Sequence, residues 1–136
     1  VIDLEARRAA TQRTIDKYRA RPFDWRARAT CIHLARTQLR NLGHRPPPIP
    51  DFRSALGARR ALARTGFASV AALLDSMLPR IAPASMLIGD LAAIEGDDGL
   101  ECIVISAGGK MLGYHVGDAT GLKNLIVTAF VGAWRA

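Results

Sequence analysis

The sequence predicts an α+β domain, with helices in the first part and a small antiparallel sheet in the second. Three observations predict it. Residues 4–20 and 26–42 carry helix formers and apolar residues at helical spacing. After Pro83 the pattern changes to short β-branched runs separated by glycine turns. Helical runs followed by strand runs indicate α+β rather than alternating βαβ units. The chain has 136 residues, so one domain over 1–136 is expected, residues 1–83 mainly helical and 84–136 mainly β. Such a length buries about two thirds of the unfolded surface, enough for a core without staples.

Each element has its own signal. Residues 4–20, LEARRAATQRTIDKYRA, contain no Gly or Pro, and Ile15 and Tyr18 fall on one face. Asp24 is the expected N-cap of a helix over 26–42, with Ile32, Ala35, Leu39 and Leu42 as its apolar stripe and Gly43 after its end. HRPPPIP, residues 44–50, reads as a stiff extended connector. Residues 54–66 form a short helix ended by Gly66. Another follows with Ser69 as cap and Val70, Leu73, Leu74 and Met77 buried; Pro79 and Pro83 close it. GDLAAI and LECIVIS then read as strands, GDDG as a turn, SAGGK as a hairpin turn and KMLGYHV as the return strand. LIVTAFVGAWRA fits a strand or an apolar helix, and periodicity does not separate them.

Charge divides the chain. Residues 1–65 hold 15 Lys/Arg against 5 Asp/Glu, and residues 66–136 hold 4 against 7. A basic front half suits an acidic partner, an acidic cell-wall polymer or nucleic acid. Nucleic-acid binding rests on that balance and a few aromatics alone, so nucleic acid is not the expected partner. The HRPPPIP connector is too long and stiff for the turn of a helix-turn-helix. No apolar run reaches the ~18 residues that span a bilayer. The start, VIDLEARRAATQR, lacks the apolar core of a secretory signal.

Two cysteines, Cys31 and Cys102, make no disulfide framework. Cys31 near a helix start is a candidate nucleophile, because unpaired amides and the helix dipole stabilise a thiolate. On local sequence alone a lone cysteine in a helix is more often a small packing residue. A nucleophilic thiol needs a base. His33 is two residues away and points elsewhere on a helix. His44 sits at a helix end, where a surface role is expected. His115, in the predicted return strand, is the candidate base. No CxxC, HxxxH, EF-hand, P-loop or GxGxxG spacing is present, so neither metal nor cofactor is expected.

The order of pieces resembles the small phage and prophage tail-associated proteins related to NlpC-type, papain-like cell-wall cysteine peptidases. Their Pro-Phe-x-Trp-Gly leads through Asp-Cys into a helix. Here PFDWRARATCIHLA matches at Pro22, Phe23, Trp25 and Cys31, with Arg26 in place of the Gly and Thr30 in place of the Asp. Gly89 and Asp90 match the Gly-Asp that opens the sheet, and GDATGLKNL and Ala133-Trp134-Arg135 are similar to the late segments. The likeness spans most of residues 13–136.

The resemblance implies a papain-like fold, N-terminal helices on a small antiparallel sheet, with the catalytic His on the strand after Gly-Asp. The expected counterpart here is Leu100 or Glu101, neither a histidine. The resemblance therefore implies a catalytically degenerate tail, tail-tip or assembly component that binds other phage-tail proteins. The alternative is a cysteine peptidase or amidase acting on peptidoglycan, with Cys31 as nucleophile and His115 as base. Either would be made in the bacterial cytoplasm, the former then joining a phage-like particle.

Overall fold

A computed structural model describes residues 3–96, 99–114 and 120–136. Four helices come first: α1 (Leu4–Tyr18), α2 (Cys31–Asn41), α3 (Ala55–Arg64) and α4 (Val70–Met77). Strands follow: β1 (Arg80–Ile81), β2 (Leu91–Ile94), β3 (Cys102–Ser106), β4 (Met111–Gly113), β5 (Lys123–Leu125) and β6 (Gly132–Trp134). They form one antiparallel sheet in the order β1-β6-β2-β3-β4-β5, so the last strand enters between the first two. The α+β class read from the sequence is the observed one.

Each of these four α-helices begins on a side-chain cap. Asp3, Thr30, Ser54 and Ser69 accept the amides of Ala6, His33, Gly57 and Ala72, satisfying donors that a helix start leaves open. The expected boundary of α2 is corrected here. Asp24 does not cap a helix at residue 26. Its Oδ1 accepts from Arg26 N at 2.9 Å and Ala27 N at 3.3 Å, and its backbone pairs with Ala29. This is an Asx-type turn, closed with Arg28 at φ 58°. The helix starts at Cys31 and not at residue 26, so the cysteine is its first residue.

Strand alternation separates the two faces of the sheet. Leu91, Ala93, Ile103, Ile105 and Trp134 join the helices in the main core. Ala92, Val104 and Ala133 face the other way, under Ile81, Met86, Met111 and Phe130. α2 packs on β3, and α1 packs on α2. Leu34, Leu91 and Ile105 expose no surface, and each contributes about 1.5–3 kcal/mol by burial. LIVTAFVGAWRA is neither one strand nor a helix: Leu125 ends β5, and β6 begins only at Gly132. Asp97 and Asp98 of the expected GDDG turn lie outside the described residues.

The two layers are joined by a buried carboxylate. Asp90 exposes none of its side chain. It accepts from Arg7 Nη2 and Ala136 N at Oδ1, and from Leu87 N and Arg135 Nη1 at Oδ2. Arg7 also donates to Ile88 O at 3.0 Å and Ala136 O at 2.7 Å. The preceding Gly89 has φ +91°, and a Cβ there would stand 2.7 Å from Thr11 Oγ1 and 3.0 Å from Gln38 Nε2. The turn can therefore seat on α1 and α2 only as glycine.

Two substitutions test this joint by urea denaturation. Asp90→Ala leaves two guanidinium groups without their carboxylate and is expected to cost about 3–5 kcal/mol. Asp16→Ala, at an exposed helix pair, should leave the midpoint near wild type. Gly89→Ala combines positive φ with overlap and is expected to cost about 2–3 kcal/mol; a wild-type midpoint for Gly89→Ala would contradict the seating described.

Candidate functional site

The segment from Pro22 to Thr30 delivers Cys31 to the sheet. Phe23 and Trp25 meet edge to face with centroids 5.2 Å apart. Phe23 also contacts Tyr114 at 5.8 Å, and Trp25 contacts Phe52 at 5.7 Å. The Pro-aromatic-x-Trp motif thus builds an aromatic wall beside the helix start.

Cys31 is 6% exposed. Its sulfur has the Cys102 thiol and the amides of Ile103, Cys31 and Ile32 as polar neighbours. The bond from the Cys102 thiol lowers the Cys31 pKa most; burial opposes it, and the three amides add to the lowering. The net direction is downward, towards thiolate. Cys102 is the first residue of β3, and its Sγ lies 3.7 Å from Tyr114 O and 3.8 Å from Ile103 O. Neither cysteine is in a disulfide.

The sheet residues beside Cys31 are Cys102 and Ile103. Leu100 is buried among apolar residues. Glu101 turns to the start of α4, where Oε2 accepts from Ala71 N at 2.8 Å; an acid at a helix N-terminus is favoured there by the unpaired amides. His115, the candidate base, lies outside the described residues, which stop on that side at Tyr114. Sequence reasoning missed the contact of the two thiols. Its only signal was that both cysteines stand in apolar pattern.

The other histidines fall as their positions suggested, with one addition. His44 is exposed just past α2. His33 is buried, with Nδ1 2.7 Å from Thr30 Oγ1 and its ring 5.7 Å from Phe52. Burial, with help from Arg28, Arg36 and Lys17, pushes its pKa down to about 4. Tyr114, behind the wall, is pushed up to about 12 by burial. Among the described residues, no three His, Cys, Asp or Glu side chains are grouped to hold a metal ion.

Beside the site, α2, the proline-rich connector, α3, α4 and β3 enclose an apolar cavity of about 340 Å³. Ile32, Leu39, Phe52, Leu74 and Ile103 line it, and Arg36 stands at its edge, donating from Nε to Pro47 O at 3.0 Å.

A family model described as a domain of unknown function (DUF6950) matches residues 3–136. The chain belongs to the DUF6950 family. The match takes in every described element of this DUF6950 domain, from the Asp3 cap to the Asp90 joint and β6. No curated protein matches it.

The low His33 pKa has a consequence for stability. The folded state disfavours its protonation, so its contribution is full above the unfolded value near 6.5 and is lost as pH falls towards about 4. Between pH 7.5 and 5.0, this residue is expected to remove about 1 kcal/mol, a figure reduced from full linkage because the contributing cations reach solvent. Urea titrations of wild type and His33→Gln at both pH values measure it; the variant should lack that share of the pH dependence.

Proposed function

We propose that this DUF6950 domain is a phage-like tail, tail-tip or assembly component with a papain-like arrangement whose catalytic pair is degenerate. One observation carries the reading: the strand side chain beside the helix-start cysteine is the thiol of Cys102 and not an imidazole, and Leu100 and Glu101, where the peptidase pattern calls for one, are not histidines either. A protonated thiol is a poor proton acceptor, and loss of a general base costs about 10²–10⁴-fold in rate. The helix-on-sheet layering with the cysteine at the helix start supports the papain-like assignment. The exposed arginines of the helical half, among them Arg13, Arg26, Arg40, Arg59 and Arg60, suit contacts with acidic surfaces of other tail proteins. Among the described residues, no helix is long and apolar enough to cross a membrane. In this reading the chain is made in the bacterial cytoplasm and then enters a particle.

A second reading has one specific observation in its favour. The thiol of Cys31 is shifted towards thiolate at a helix N-terminus. That would suit a peptidase or amidase acting on peptidoglycan, with Cys31 as nucleophile and His115 as base.

Two measurements separate the readings. Purified chain incubated with purified peptidoglycan is expected to release no more soluble stem peptide than Cys31→Ala does. In a strain producing the particles, deletion of the chain should abolish intact tails under the electron microscope, and Cys31→Ala should restore them. Peptide release that needs both Cys31 and His115 would replace the assembly role with the enzyme.

A further inference from the structure

The cavity between α2, the connector, α3, α4 and β3 is too large for a packing defect. Its volume is about 340 Å³, whereas a close-packed interior holds few voids larger than a water molecule. Leu39, Phe52 and Leu74 line its buried side. Ile32, Ile49, Leu62, Phe67, Leu73 and Met77 also line it and are only half-buried. Large apolar side chains from three helices and the connector therefore leave surface unburied around one space, and covering that surface is favourable.

The polar groups of the walls are mostly spent. Pro46, Pro47, Pro48 and Pro50 line one wall, and proline has no amide N–H to offer. Two carbonyls of that wall are taken: Pro47 O accepts from Arg36 Nε at 3.0 Å, and Ile49 O accepts from Arg28 Nη2 at 3.4 Å. Thr65, another lining residue, donates its hydroxyl to Leu62 O at 2.7 Å. Among the described residues, Arg36 is the only charged side chain that lines the cavity. Its Nε–H is one of five donors on a guanidinium. α2 and α3 carry Arg36, Arg40, Arg59, Arg60 and Arg64 and no acidic residue, so the field on this side of the domain favours an anion.

From these features we propose that the cavity binds a free medium-chain fatty acid, with its hydrocarbon between the helices and its carboxylate on the guanidinium of Arg36. The apolar lining rejects sugars, nucleotides and peptide backbone, whose polar groups would be buried without partners. The single cation at the edge matches a single anionic head, and a guanidinium pairs with a carboxylate through two parallel hydrogen bonds. Size fits as well. An apolar cavity of about 150 Å³ holds a benzene ring, so in proportion about 340 Å³ holds a chain of about twelve carbons. The bond from Arg36 to the connector holds the head-binding group against the proline wall. The proposal does not depend on the tail-assembly role.

The test is calorimetric titration of the full chain, near neutral pH, with dodecanoate, dodecanol and butanoate. Dodecanoate is expected to bind one per chain with a micromolar Kd, dodecanol about tenfold more weakly for want of the charge-assisted bonds, and butanoate not measurably. Arg36→Gln should weaken dodecanoate about tenfold and leave dodecanol unchanged; Arg36→Lys, which keeps the charge, should recover part of the loss. Leu62→Trp, at a half-buried lining position, should fill the space and abolish binding of both long-chain ligands. Circular dichroism and Tm confirm that each variant is folded. The proposal is overturned if wild type shows no saturable binding of dodecanoate, if it takes up many molecules as a detergent does, or if the alcohol binds as tightly as the acid. It is equally overturned if Arg36→Gln weakens acid and alcohol alike, if Leu62→Trp binds as wild type does, or if sedimentation shows a dimer that dodecanoate dissociates, since a second copy would then be the occupant. The wild-type titrations require no variant to fold, and none of these readouts depends on peptidoglycan or particles.

Discussion

The architecture depends on one buried carboxylate. Asp90 stands at the turn into β2 and takes four hydrogen bonds, two from arginines and two from backbone amides. A carboxylate removed from water loses several kcal/mol of solvation. Such a position is tenable only because every side of the group is occupied by a donor. The donors come from α1, from the turn before β2 and from the residues after β6. One side chain therefore specifies where the first helix and the last strand meet.

That joint also sets the rotation of the cysteine helix. Gln38, with no exposed surface, donates from Nε2 to Thr11 Oγ1 at 3.0 Å and to Gly89 O at 3.1 Å. Asn41 donates to Thr14 at 2.9 Å. Cys31 and Gln38 are two turns apart on one face of α2. Holding Gln38 against the Gly89–Asp90 turn consequently aims Cys31 at β3. What it meets there decides its chemistry. Burial alone would keep the thiol protonated, whereas one S–H donor and three amides tip it the other way. An imidazole in that position would supply both a charge partner and a base. A second thiol supplies neither.

Much of the helical half was legible because its signals are local. Ser69 caps where expected, and Gly43 and Gly66 take positive φ just beyond the helices they end. Asp24 misled because an Asx turn and an N-cap use the same bond from a side-chain oxygen to an amide two or three residues on. Thr30 was noted as a departure from a family pattern, when its hydroxyl is the cap itself. Arg7 gave no sign of burial; an arginine on a helix reads as solvated unless its partner, distant in sequence, is known. The C-terminal apolar run was ambiguous for a related reason: β6 is a strand only because β1 and β2 lie on either side of it.

By itself the sequence determined the α+β class, the four helices, the hairpin at SAGGK and the presence of a cysteine near a helix start. These follow from caps, periodicity and turn residues, which act within a few residues along the chain. Tertiary structure alone decided that Asp90 gathers both ends of the described fold, and that Cys102 stands beside Cys31. Those are contacts between segments many residues apart. Strand register and helix rotation bring them together, and neither is written in any short stretch of the chain.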